Sequence, residues 1–70
     1  MPKNKQRALL AHLVLERFAI DAGQDLEAEP AEVIADLICD LLHYCDLNGL
    51  VRSEIMANAF KHYWSEQCPF

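Results

Sequence analysis

Five residues punctuate this 70-residue chain: Pro2, Pro30 and Pro69, and Gly23 and Gly49. Proline and glycine are the strongest local interrupters of regular backbone, and these five leave three long segments free of both. Within the segments, apolar residues recur at three- and four-residue spacing and never alternate as a strand would. The pattern predicts an all-α protein. Its helices run over roughly 4–22, 30–48 and 53–67, forming a compact three-helix bundle in which residues 1–70 make a single helical domain.

The first helix carries Leu9, Leu10, Leu13, Val14, Leu15 and Phe18 over more than one face, which predicts a helix central to the packing. Gly23 suits the left-handed residue beyond its last turn, and a polar loop, GQDLEAE, follows. Pro30 has the fixed φ and missing N–H that suit a first helical position, with Glu29, Glu32 and Asp36 near the positive end of the helix dipole. Val33, Ile34, Leu37, Ile38, Leu41, Tyr44 and Cys45 fall to one side of the second helix. Glu32, Asp36 and Asp40, at i, i+4 and i+8, fall to another.

The stretch HYCDLNGL, residues 43–50, resembles a reactive cluster but reads as a helix end. Gly49 is the left-handed residue after the helix, Asn48 its cap, Cys45 a residue inside the last turn, and Leu50 is placed to return toward Cys45. The third helix then starts at Ser53 as N-cap, with Glu54 in its first turn and Ile55, Met56, Ala59, Phe60 and Tyr63 as its apolar stripe.

A chain of this length buries only about 60% of the surface its unfolded form exposes, yet 53% of its residues are hydrophobic. Part of that apolar surface is expected to meet another chain, either a second copy in a homodimer or a dedicated partner. Three cysteines, at 39, 45 and 68, do not form a disulfide framework, and no signal peptide pattern is evident at the start. No apolar run approaches the roughly 20 residues of a membrane span. A cytoplasmic setting with reduced thiols and no membrane contact is expected.

The net charge of -5 is unevenly spread. Residues 1–20 set Lys3, Lys5, Arg7 and Arg17 against Glu16, whereas residues 21–46 hold eight acidic residues and no Lys or Arg. Three basic residues at one end are too few for a nucleic-acid footprint, so no direct nucleic-acid binding is expected. Catalysis is not expected either: His43 and Cys45 lie about 200° apart on a helix, and three short helices leave little room for an enclosed site. Cys39 and His43 share a face, but no second closely spaced ligand pair accompanies them, so no metal and no cofactor are expected.

What remains is the acidic run. Glu27, Glu29, Glu32, Asp36 and Asp40 form a candidate partner-binding surface for a protein with a basic face, with carboxylates rising about 6 Å per helical turn of four residues. Trp64, one step off the apolar stripe, and Phe70 are candidate aromatic anchors.

Residues 36–66 resemble short helical proteins of bacteriophages and mobile elements, through Asp40, Leu41, His43, Tyr44, Cys45, Gly49, Leu50, His62, Tyr63 and Glu66. His43 sits one residue closer to Leu41 than in that pattern. The resemblance implies a genomic setting and no particular chemistry. Small size, helical build and acidity in such a setting are similar to anti-CRISPR inhibitors, which makes a CRISPR effector complex one expected partner. The expected function is a non-enzymatic, phage-type inhibitor or interaction protein whose acidic helix face blocks a basic, nucleic-acid-binding surface. The alternative is a small structural or regulatory homodimer acting through its apolar surface.

Overall fold

The computed structural model describes residues 4–66. Three helices follow one another, α1 (Asn4–Ala22), α2 (Pro30–Leu47) and α3 (Arg52–Ser65), and no strand occurs among the described residues. The all-α, three-helix expectation is met, and the first two boundaries agree with it to within a residue. The expected end of the third helix at Gln67 lies outside the described residues, as do Lys3, Cys68 and Phe70.

Both glycines end a helix by the same device. Gly23 and Gly49 adopt φ +70° and +67°, a region that costs other L-residues roughly 1–2 kcal/mol. At the end of α1, the Gln24 N–H donates to the Ala19 carbonyl at 2.8 Å and the Gly23 N–H to that of Ile20 at 3.2 Å. At the end of α2, the Leu50 N–H donates to the Cys45 carbonyl at 2.9 Å and the Gly49 N–H to that of Asp46 at 3.5 Å. These paired bonds define the Schellman motif, which satisfies carbonyls that the helix itself cannot. HYCDLNGL is therefore a helix terminus.

The starts of the helices are less dependent on side chains. Neither Glu29, which caps α2, nor Val51, which caps α3, makes a side-chain capping bond. Ser53, expected as the N-cap, instead lies inside the first turn of α3. The chain turns into the helical conformation at Arg52, one residue earlier, because the Ile55 N–H already reaches the Val51 carbonyl at 3.2 Å. Before α2, Asp25 organises the loop: its Oδ1 accepts the N–H groups of Glu27 and Ala28 at 3.0 and 3.2 Å, and its carbonyl accepts that of Glu29 at 3.0 Å.

The helices pack in chain order, α1 on α2 and α2 on α3, whereas α1 and α3 make no close backbone approach. The central helix is thus α2 rather than the expected α1, since short connections favour consecutive neighbours. The ends of the chain are nevertheless tied together. Asn4 Nδ2 donates to the Glu66 carbonyl at 2.6 Å, and Arg7 pairs with the Glu66 carboxylate at 3.2 Å. The result is broad and thin, with extents of 34 × 32 × 18 Å and a radius of gyration of 13.5 Å, against about 11 Å for a globular chain of this length.

Only Ala19, Val33 and Cys45 are buried among the described residues. Ala19 and Cys45 occupy the same place in the two glycine caps, the residue whose carbonyl accepts the longer-range bond, and Val33 sits in the first turn of α2. The core lies at the corners where one helix hands over to the next.

A Cβ at Gly49 would meet nothing within 4 Å, so a side chain there costs conformation and not space. Gly49→Ala is expected to lose about 1 kcal/mol, lowering the thermal midpoint by roughly 4–8 °C, as followed by circular dichroism.

Candidate functional site

The surface divides by chemistry. On α2 the exposed Ile34, Ile38 and Leu41 fall on one side of the helix, and Glu32, Asp36 and Asp40 fall roughly opposite. The expected segregation of apolar and acidic residues is therefore present along this helix, with Glu27 and Glu29 extending the acidic run into the preceding turn.

The carboxylates are not equivalent. Asp21 pairs with Arg17 at 3.1 Å and Asp46 with Arg52 at 3.0 Å. Asp36 is half-buried and accepts a hydrogen bond from Gln24 Nε2, which ties the loop to the face of α2. Glu27, Glu29, Glu32 and Asp40 are exposed and make no ion pair among the described residues. Four of the five acidic candidates are thus open to solvent, Glu27 on the groove beside Ile34, while Asp36 also holds structure.

The basic end is divided in the opposite way. Arg7 is half-buried and paired with Glu66 at 3.2 Å, which offsets its charge. No local signal in the sequence marks this pairing, because its partner lies at the far end of the chain.

Apolar exposure dominates the rest. Leu9, Leu10, Leu13, Val14 and Ile20 on α1, and Ile55, Phe60, Tyr63 and Trp64 on α3, are all exposed, and α3 has no buried residue at all. Trp64, the aromatic candidate, is 62% exposed and rests edge-on against Tyr63 with ring centroids 5.3 Å apart. The chain exposes 5902 Å², against about 4,450 Å² for a folded monomer of 8.0 kDa.

A groove of about 720 Å³ runs between the second half of α1, the loop and the start of α2, lined in part by Leu15, Leu26, Pro30 and Ile34. His12 Nε2 lies 3.3 Å from Glu16 at its edge, an i, i+4 pair absent from the sequence reading. The carboxylates of Asp25 and Glu27 line the same groove. His43 is exposed while Cys45 is buried, and the described residues contain no group of three His, Cys, Asp or Glu placed to hold a metal ion. No helix among them is long and apolar enough to cross a membrane.

Comparison with known proteins returns no matching family model, no matching curated protein and no matching solved structure.

The two described cysteines differ sharply in access. Cys39 is exposed, whereas Cys45 is 7% exposed inside the α2 cap. Under native conditions a thiol reagent should modify Cys39 promptly and Cys45 only as the α2 terminus opens. Peptide mapping by mass spectrometry reads this directly, and equal labelling of the two would show that the cap does not persist in solution.

Proposed function

We propose that this chain is a non-enzymatic interaction module that works inside a protein assembly and uses its apolar surface to join it. The observation that carries this reading is the ratio of exposed to enclosed apolar groups. Sixteen large hydrophobic side chains are exposed among the described residues, against three buried residues. Soluble monomers rarely leave contiguous apolar patches of more than a few hundred Å² uncovered. Burial supplies about 25 cal/mol for each Å² removed from water, so covering this surface would add more stability than three enclosed side chains can.

This reading favours the expected alternative, action through the apolar surface, over the acidic face as the primary contact. It predicts that the isolated chain either travels as a species heavier than its 8.0 kDa or, as a monomer, binds a hydrophobic dye strongly. A folded monomer that leaves the dye dark would refute it.

A second reading has its own support. Glu27, Glu29, Glu32 and Asp40 stand without cationic partners among the described residues, as a surface for a basic protein would, and unpaired carboxylates add little to stability on their own. On this reading the module also blocks a basic, nucleic-acid-binding surface in the manner of an anti-CRISPR inhibitor. Because Asp36 holds Gln24, the informative variant leaves it in place. Glu29→Lys, Glu32→Lys and Asp40→Lys together should keep the helical spectrum while abolishing rescue of a CRISPR-targeted phage in bacteria expressing the protein. Rescue unchanged by the swap, or absent with the unaltered chain, would remove the acidic-face mechanism.

A further inference from the structure

We infer that the groove between α1, the loop and the start of α2 receives a basic segment of a partner protein, which inserts aliphatic side chains and sets Lys or Arg against the groove's carboxylates. The inference rests on the interaction-module reading above and names the place and the chemistry of the contact. The groove is built on apolar groups. Ala8, Leu15 and Ala19, at i, i+7 and i+11, share one stripe of α1, and the other walls are Leu26 of the loop and Pro30 and Ile34 of α2. Ala19 is buried and Leu15 and Leu26 are half-buried, whereas Ile34 stays exposed at the rim. The loop wall is already fixed within the chain. The Gln24 N–H donates to the Ala19 carbonyl, the Gln24 side chain holds Asp36, and Asp25 Oδ1 accepts the N–H groups of Glu27 and Ala28. A site held in this way binds without first having to order itself.

Two considerations select the occupant. The first is charge. Glu16, Asp25 and Glu27 line the groove, and no Lys or Arg does among the described residues. Glu16 has His12 Nε2 at 3.3 Å, while Asp25 and Glu27 make no ion pair among the described residues. Two other hollows of the surface are balanced instead. The one beside Phe18 and Leu37 sets Arg17 against Asp21, and the one beside Leu42 and Val51 sets Arg52 against Asp46. A cationic partner therefore finds in this groove carboxylates that the chain itself leaves uncompensated, and such complementarity is what fixes partner choice and orientation. The second is extent. Ile34, 44% exposed, is followed one turn along the same side of α2 by Ile38 at 43%, and Ile20 stands 74% exposed at the α1 edge. The apolar surface thus runs out of the groove, and covering it takes a polypeptide with several apolar side chains rather than a single small cation.

The test is fluorescence anisotropy of the full chain with a labelled helical peptide of leucine and lysine, beside one control with every lysine replaced by glutamate and another with every leucine replaced by alanine. The leucine–lysine peptide should bind about tenfold more tightly than either control, and less tightly as salt is raised. Glu16→Gln with Glu27→Gln should weaken it about fivefold. Glu32→Gln with Asp40→Asn makes the same change in net charge on the other side of α2 and should leave binding within about twofold. Ile34→Ala should weaken it about fivefold; should that variant lose helix by circular dichroism, the two charge pairs decide the matter. Absence of binding, or equal loss from the two charge pairs, overturns the groove as the site. Equal binding of the glutamate peptide overturns the choice of a basic partner. If the unaltered chain ignores the peptide yet lights a hydrophobic dye or runs heavier than 8.0 kDa, the interaction-module reading stands with a different contact, and if it does none of these, both fail.

Discussion

The structure depends on two glycine-capped helix ends. At each, a left-handed glycine reverses the chain and the following N–H returns to a carbonyl inside the last turn, of Ala19 in one case and Cys45 in the other. The same two residues are two of the three that are buried. Local hydrogen bonding and tertiary packing therefore coincide at the corners, and the rest of each helix is positioned from there. Because burial is concentrated at these corners, the middles of α1 and α3 are left largely uncovered.

This placement of the core explains why a chain rich in leucine and isoleucine leaves so many of them in water. A bundle whose helices touch along their lengths encloses its apolar stripes, whereas helices that hand over at corners enclose mainly the residues at those corners. The tie from Asn4 and Arg7 to Glu66 joins the ends without adding apolar burial, since it is made of hydrogen bonds and a charge pair. Such a frame gains most from a partner that covers its open faces. The exposed carboxylates of Glu32 and Asp40 are compatible with that arrangement, because on α2 they lie on the side of the helix away from Ile34, Ile38 and Leu41.

Much of this was legible from the residues in order. The breakers located all three helices, and HYCDLNGL was readable as a terminus because a Schellman cap is a local event, completed within six residues. The acidic and apolar sides of α2 followed from helical periodicity alone. Ser53 is not the cap because the helix starts at Arg52, two residues earlier than a serine cap at 53 would allow. The roles of Arg7, Gln24 and Asp36 were invisible, since each depends on a partner brought near by folding. Arg7 belongs to a basic end in sequence, but in the fold it is paired with Glu66.

The sequence by itself determined the helical class, the three segments, their glycine-dependent ends and the charge of each, because these rest on interactions among residues at most a few positions apart. Tertiary structure alone decided which helix is central, which carboxylates remain unpaired and which apolar side chains stay in water. Asn4 and Glu66 are 62 positions apart, and no periodicity or propensity reaches across such a separation. Whether Leu13 is enclosed like Val33 or exposed depends on whether another helix lies beside it, and the sequence records its hydrophobicity without recording that neighbour.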